Sequence, residues 1–292
     1  MKHILTFLTL FISINATCQE VIPFELKEDN RIYLKVSVNQ SDSLNFVFDL
    51  GANITVLNKT RLKQNRIKIT FDSIVSNQGT NGVSNEEISK NNFIKIENKI
   101  YYDIYILGLS YPNSDILDGI IGWNFFKDKT VRLNYESKEL TIYDELPDLS
   151  DTYNCSKLKL INDLPYIEVI VYHERKKTKI WSMLDIGYNG ELLVYYDEVE
   201  KNGLIGKFQV IGEATTSGTD GNTSKSDLVL LPRFEINEFE IYNMPAYLTK
   251  TELKSTKPAL MGGNLLKRFH TVIDFKNKKV YMKPNILINS HF

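Results

Sequence analysis

The chain has 292 residues, of which 42% are hydrophobic and 24% are charged. This composition can form a sizeable core, and it excludes a disordered or low-complexity protein. The 35 Lys and Arg residues nearly balance the 36 Asp and Glu residues, so the basic surplus of a nucleic-acid-binding protein is absent. Only four His and two Cys occur, and none has a zinc-binding spacing. We therefore expect no metal site.

The N-terminus has the layout of a secretory signal peptide. Lys2 and His3 precede an apolar run at residues 4–12, and small or polar residues follow it as far as Cys18. This order is typical of an export signal, and the run is shorter than the about 20 residues of a membrane-spanning helix. We expect a secreted or periplasmic protein that has no membrane span.

A lipid anchor at Cys18 is the less favoured alternative for this segment. A Cys that directly follows a signal core can become a lipidated N-terminus. The preceding residues Asn15–Thr17 do not match the Leu-led motif that lipid attachment prefers. We therefore expect a mature protein without an anchor.

The rest of the chain reads as short strands separated by turns. Residues Ile32–Val38 alternate with a period of two, and Tyr166–Val171 do so in part, a pattern typical of half-buried strands. Turn pairs such as Asn202-Gly203 recur between the strands. Helical signals are short and begin near Asn58 and Asp197. The sequence predicts an all-β fold class, mostly β with short helices.

Two blocks of sequence occur twice, in the same order and at nearly the same separation. Residues 46–51, FVFDLG, correspond to residues 182–187, SMLDIG. Residues 120–127, IIGWNFFK, correspond to residues 260–267, LMGGNLLK. A repeat of this kind predicts two homologous halves within one chain.

The repeat predicts three segments along the chain. A signal peptide at residues 1–18 precedes an N-terminal lobe at residues 20–148 and a C-terminal lobe at residues 152–292. The boundary lies at Pro147–Asp151, which has the composition of a linker. The size of each half is within the usual range for a domain.

Each half contains an Asp-x-Gly triplet at the end of an apolar run, followed downstream by two apolar residues and a Gly. The triplets are Asp49-Leu50-Gly51 and Asp185-Ile186-Gly187, and the downstream elements are Ile120–Gly122 and Leu260–Gly262. In this the chain resembles the retropepsin-like and pepsin-like aspartic proteases, over about residues 22–284. The resemblance implies a bilobal aspartic-protease-like fold with two homologous β-barrel-like lobes.

The resemblance also implies where the site lies. Asp49 and Asp185 would be the catalytic dyad, and Gly51 and Gly187 would let the backbone approach closely. Two carboxyls held about 3 Å apart share one proton, and together they can activate a water molecule without a metal or cofactor. Flap residues that would contact substrate are Gly79, Thr80, Gly82, Thr216, Ser217 and Gly218.

One departure from the family pattern falls inside both triplets. Leu50 and Ile186 stand where the family has Thr or Ser, whose hydroxyl forms a hydrogen bond across the lobe interface. Asn53 and Asn189 each follow their Asp by four residues, and their amides could replace those hydrogen bonds. The alternative is that the two Asn residues only stabilise turns.

Two functions remain open at this point. The first is a secreted aspartic-type peptidase that acts on a peptide or protein substrate. The second is a non-catalytic aspartic-protease-like protein that binds extended peptides or envelope components in the same cleft. Retention of both Asp residues favours the enzyme, whereas loss of both hydroxyl residues favours the binding protein. Because one chain carries both halves, we expect a monomer.

Overall fold

A computed structural model describes residues 19–64, 67–79, 83–111, 116–217, 223–250 and 257–292. The predicted signal peptide lies outside these residues. Strands dominate the described part of the chain, with two short α-helices in the C-terminal half. The predicted mostly β fold class is therefore confirmed.

The N-terminal half consists of short strands joined by turns and two 3-10 helices. Its strands are β1 (Gln19–Pro23), β2 (Glu25–Leu26), β3 (Ile32–Val38), β4 (Leu44–Asp49), β5 (Thr55–Asn58), β6 (Ser73–Gln78), β7 (Val83–Ile96), β8 (Lys99–Leu109), β9 (Gly119–Gly122), β10 (Thr130–Asn134) and β11 (Glu139–Tyr143). The 3-10 helices are Lys59–Arg61 and Trp123–Phe126.

The C-terminal half has a similar succession of elements. Its strands are β12 (Asn154–Lys157), β13 (Lys159–Ile161), β14 (Leu164–His173), β15 (Lys176–Leu184), β16 (Leu192–Val194), β17 (Gln209–Ser217), β18 (Thr223–Ile236), β19 (Phe239–Thr249), β20 (Ala259–Met261), β21 (Phe269–Asp274) and β22 (Lys279–Pro284). Its helices are α1 (Tyr196–Lys201) and α2 (Gly263–Leu266).

Each half forms an eight-stranded sheet, and the two sheets have equivalent strand orders. The order is β2-β3-β4-β9-β5-β8-β7-β6 in the N-terminal lobe and β13-β14-β15-β20-β16-β19-β18-β17 in the C-terminal lobe. An additional pairing, β3 with β7 and β14 with β18, folds each sheet back on itself. The two lobes are thus barrel-like and similar.

A third sheet joins the lobes. Its order is β1-β11-β10-β21-β22-β12, with three strands from each half. The central pair is β10 with β21, which run antiparallel from Thr130 opposite Asp274 to Leu133 opposite Thr271. Because backbone hydrogen bonds cross between the halves here, this sheet fixes how the lobes are placed relative to each other.

The cores of the two lobes are continuous. One cluster of buried apolar side chains includes Phe46 and Phe48 of the N-terminal lobe, Leu184 and Met261 of the C-terminal lobe, and Ile273 of the joining sheet. Burial of this surface is the main driving force for folding. No helix within the described residues is long and apolar enough to cross a membrane.

Trp123 connects the two lobes just beyond the end of β9. Its indole stacks on Phe275 at 4.8 Å between ring centroids, and its Nε1 donates a hydrogen bond of 2.7 Å to the carbonyl oxygen of Asp163. The side chain is 3% exposed. Its loss would therefore remove a large apolar contact and one hydrogen bond from the interface.

We predict that Trp123→Ala lowers the free energy of unfolding by about 3–5 kcal/mol, the usual effect of truncating a buried aromatic side chain. Urea unfolding of wild type and variant measures this difference. Tyr105→Ala is the control, because Tyr105 is 53% exposed and its truncation should change stability by less than about 0.5 kcal/mol. Equal effects of the two substitutions would contradict a structural role for Trp123.

Candidate active site

The two Asp residues lie at equivalent places in the two lobes. Asp49 is the last residue of β4, and Asp185 directly follows β15. β4 runs parallel to β9, with Asp49 opposite Gly122, and β15 runs parallel to β20. The apolar residues of both strands are fixed in the core, so each carboxyl emerges at the end of its strand.

The loops after these strands bring the two carboxyls together. A hydrogen bond between the two carboxyls lowers the pKa of Asp49 and raises the pKa of Asp185. A Cβ placed on Gly51 would lie 2.7 Å from the Cγ of Asp185, and one on Gly187 would lie 2.5 Å from the Cγ of Asp49. Each glycine therefore packs against the carboxyl of the opposite lobe, where any side chain would displace it.

Backbone amides hold the two carboxyls unequally. The Oδ1 atom of Asp49 accepts hydrogen bonds from the N–H of Gly51 at 2.7 Å and from the N–H of Gly187 at 3.1 Å. The Oδ1 atom of Asp185 accepts one from the N–H of Tyr188 at 2.9 Å. Because donors stabilise the charged form, this arrangement places the negative charge on Asp49.

The pKa values of both carboxyls are raised, mainly by burial. For Asp185, which is 7% exposed, the negative charge of Asp49 raises the pKa further. For Asp49, the hydrogen bonds from Gly51, Gly187 and Asp185 oppose the effect of burial and lower the pKa. The pair therefore holds one proton, which lies on Asp185 while Asp49 is ionised.

Sequence reasoning missed two basic residues that line the same cleft. Lys257 is 8% exposed and lies 3.4 Å from the carbonyl oxygen of Gly79. Its charge lowers the pKa of both Asp49 and Asp185. Arg31 donates from Nε to the carbonyl oxygen of Gly187 at 2.6 Å. Neither residue belongs to a motif, so the sequence carried no signal for either.

The two residues that replace Thr or Ser have become part of the core. Leu50 is 1% exposed and Ile186 is fully buried, and both belong to the apolar cluster that extends through the two lobes. Asn53 and Asn189 are exposed. Within the described residues, neither of their side-chain amides has a hydrogen-bond partner, so the structure gives no support to the idea that these amides replace the missing hydroxyls.

The dyad lies at the base of a cleft of about 850 Å³ between the lobes. A volume of this size is within the usual range of ligand sites. Polar and apolar residues of both lobes line the cleft in similar proportion. The apolar and aromatic residues include Val47, Val56, Leu107, Leu109, Leu117, Ile120, Leu164, Tyr166, Tyr188, Leu193 and Leu260.

The strands beside the predicted flap residues pair as antiparallel hairpins, β6 with β7 and β17 with β18. Gly79, which directly follows β6, and Thr216, in β17, line the cleft. The hydroxyl of Thr216 also makes a hydrogen bond with Ser224 of β18 at 2.8 Å. The other predicted flap positions, Thr80, Gly82 and Gly218, lie outside the described residues, as does the side chain of Ser217.

The arrangement can carry out acid–base chemistry on a bound water molecule. An ionised carboxylate can remove a proton from water, and a protonated carboxyl beside it can donate one to a carbonyl oxygen. Asp49 is suited to the first task and Asp185 to the second, because burial and the neighbouring charge keep Asp185 protonated. Backbone amides hold both carboxyls, so the two groups need to move little as charge develops during a reaction.

We predict that Asp185→Asn is more stabilising at pH 8 than at pH 4. The folded pKa of Asp185 is raised above its unfolded value. Its contribution to stability is therefore fully present below pH about 4 and is lost as the pH rises through the folded pKa. Asparagine removes this loss, so the variant should gain at least about 1 kcal/mol relative to wild type between the two pH values.

Urea unfolding at both pH values measures this effect. Asp42→Asn is the matched control, because Asp42 is exposed and does not line the cleft. Its effect on the unfolding free energy should be the same at both pH values. An equal change in unfolding free energy for Asp185→Asn at pH 4 and pH 8 would show that the carboxyl is not held in its neutral form.

Comparisons with known proteins agree with this geometry. A family model described as "Aspartyl protease" matches residues 34–125, which contain Asp49 and β9. An aspartic proteinase from Irpex lacteus has a similar structure, with a TM-score of 0.61 and 12% sequence identity. The match covers 94% of this chain and 99% of that chain. No curated protein sequence is significantly similar to the chain.

The two comparisons cover different shares of the chain. The family model covers most of the N-terminal lobe, and the structural similarity extends over both lobes. At 12% identity, the second comparison shows a shared fold. The resemblance to the aspartic proteases is therefore confirmed: the chain has the bilobal fold of this family, and its N-terminal lobe matches the family model.

Proposed function

We propose that the protein is an aspartic-type endopeptidase that uses Asp49 and Asp185 to activate water for peptide-bond hydrolysis. The observation that carries this proposal is that each carboxyl packs against the glycine of the opposite triplet, where it affects the pKa of the other carboxyl. A protein that only binds peptides gains nothing from two buried carboxyls that repel each other when both are ionised. Their joint retention favours catalysis.

The proposed reaction assigns a different task to each carboxyl. Asp49 removes a proton from the water molecule, whose oxygen bonds to the scissile carbonyl carbon. Asp185 donates its proton to the carbonyl oxygen. When the tetrahedral intermediate collapses, the proton held by Asp49 passes to the leaving nitrogen, and Asp185 regains a proton as the carbonyl re-forms.

The cleft is suited to an extended peptide. Aliphatic, aromatic and polar residues from both lobes line it, and the lining includes Gly79, which directly follows β6, and Thr216 of β17. An extended peptide can form backbone hydrogen bonds with such strands. We propose a peptide or protein substrate bound across both lobes of one chain.

We further propose that the enzyme is exported and that its two lobes arose by internal duplication. The apolar run at residues 4–12 with its flanking residues supports export. The paired sequence blocks and the equivalent strand orders of the two lobes support duplication. N-terminal sequencing of the mature protein from its native host would test export by locating the cleavage site.

We predict that Asp49→Asn and Asp185→Asn each abolish cleavage of an internally quenched peptide library at acidic pH. An amide at position 49 cannot take the proton of the water molecule, and an amide at position 185 cannot give a proton to the carbonyl oxygen. Asp42→Asn, at an exposed position, should retain wild-type turnover. Cleavage that survives in either dyad variant would refute the proposed mechanism. If the protein only binds peptides, wild type should show no turnover from about pH 3 to 7 and should bind a peptide-like dyad inhibitor weakly or not at all.

We predict that Lys257→Met moves both limbs of the pH–rate profile to higher pH. The positive charge of Lys257 lowers the pKa of Asp49 and of Asp185, so its removal should raise both. Lys207→Met, which changes an exposed lysine, should leave the profile in place. An unchanged profile for the Lys257 variant would contradict an electrostatic effect of this residue on the dyad.

A further inference from the structure

The turn between β2 and β3 reaches from the N-terminal lobe into the catalytic loop of the C-terminal lobe. We call its residues Asp29, Asn30 and Arg31 the clasp. Asn30 has a φ of 61°, a left-handed conformation that Asn adopts more readily than most residues. Backbone hydrogen bonds between Lys27 and both Asn30 and Arg31 close the turn.

Asn30 anchors the clasp to the C-terminal lobe at three points. Its Nδ2 donates to the carbonyl oxygen of Asn189 at 3.2 Å, and its Oδ1 accepts from the Nζ of Lys267 at 2.7 Å. A Cβ placed on Gly263 would lie 2.3 Å from the carbonyl oxygen of Asn30. The turn is therefore packed against the C-terminal lobe as well as hydrogen-bonded to it.

Arg31 makes the contact that matters for the dyad. Its Nε donates to the carbonyl oxygen of Gly187 at 2.6 Å, and its Nη1 lies 3.3 Å from the Oδ2 of Asp29. The same Oδ2 accepts a hydrogen bond of 2.8 Å from the hydroxyl of Tyr33. The planar guanidinium is thus held from two sides, and its hydrogen bond to the catalytic loop is charge-assisted.

The carbonyl that accepts from Arg31 belongs to the peptide group whose N–H holds Asp185. In a trans peptide group, the C=O and N–H bonds are coplanar and point in opposite directions. The C=O of Gly187 points to Arg31, and the N–H of Tyr188 points to Asp185, with 2.9 Å to its Oδ1 and 3.1 Å to its backbone oxygen. A cation at the carbonyl end strengthens the donor at the other end.

This peptide group has to be fixed by some contact other than a triplet hydroxyl. Leu50 and Ile186 have no hydroxyl and are buried in the apolar cluster. Asp185 has one backbone donor, from Tyr188, whereas Asp49 has two, from its own lobe and from Gly187. A tilt of the peptide group after Gly187 would therefore affect Asp185 the most.

Given the proposed peptidase function, we infer that Arg31 is a positioning residue for the dyad. It fixes the peptide group between Gly187 and Tyr188 from the opposite lobe, so that Asp185 keeps its orientation toward Asp49. It thereby takes over the task of the absent hydroxyls at the lobe interface. The clasp acts on one carboxyl of the pair, so this replacement is asymmetric.

Steady-state kinetics of Arg31→Met, Arg31→Lys and the control Arg233→Met test the inference. We expect Arg31→Met to lower kcat on the order of 100-fold, as a displacement of about 1 Å can, with little change in KM. Arg31→Lys keeps the charge but not the planar Nε donor, so its kcat should be intermediate. Arg233 forms an ion pair with Glu240, and neither residue lines the cleft, so its variant should match wild type.

A second measurement tests the effect of Arg31 on Asp185 without relying on peptidase activity. Carbon-13 NMR of labelled Asp side chains follows the titration of Asp185 in wild type and in Arg31→Lys. The N–H of Tyr188 lowers the pKa of Asp185, so a disturbed peptide group should raise it. The other groups that interact with Asp185 are Asp49, Lys257 and the phenols of Tyr166 and Tyr188, and Arg31→Lys substitutes none of them.

Three outcomes decide between the possible roles of Arg31. A lower kcat together with a raised Asp185 titration supports the positioning role. A higher KM with wild-type kcat would mean that Arg31 binds substrate, and a loss of stability alone would mean a purely structural role; either result overturns the inference. If wild type hydrolyses no peptide, the peptidase proposal fails, and the Asp185 titration alone decides whether the clasp positions the carboxyl.

Discussion

The contact between the two carboxyls across the lobe interface is the constraint on which the rest of the structure depends. Two buried acidic groups repel each other unless they share a proton, so the interface must hold them close enough to do so. Gly51 and Gly187 make the close approach possible, because each packs against the opposite carboxyl without a side chain. The joining sheet and the Trp123 stack on Phe275 fix the lobes around this contact.

The two halves are similar in strand order but unequal at the site. Asp49 accepts two backbone hydrogen bonds, including one from the opposite lobe, and Asp185 accepts one. This inequality gives a physical reason for the two carboxyls to take different protonation states, as acid–base catalysis requires.

The apolar residues in the two triplets change how the two catalytic loops contact each other. A hydroxyl at these positions would form a directional hydrogen bond between the loops, whereas Leu50 and Ile186 extend the apolar core between the lobes. Apolar packing stabilises but does not orient a peptide group, since it is not directional. The directional contacts are made instead by the turn between β2 and β3, through Asn30 and Arg31.

The sequence alone predicted the mostly β class, two similar halves and two candidate Asp residues. These predictions depend on local patterns: period-two alternation, turn pairs and an Asp-x-Gly triplet after each apolar run. The tertiary structure decided which groups surround the dyad. Arg31 lies 154 residues before Asp185, and Lys257 lies 208 residues after Asp49, and no local pattern marks either of them. Asn53 and Asn189 share a repeated pattern, yet both are exposed residues of the cleft lining, and their side-chain amides make no hydrogen bond within the described residues. Hydrogen bonds across an interface depend on how the lobes pack, which a local pattern does not specify.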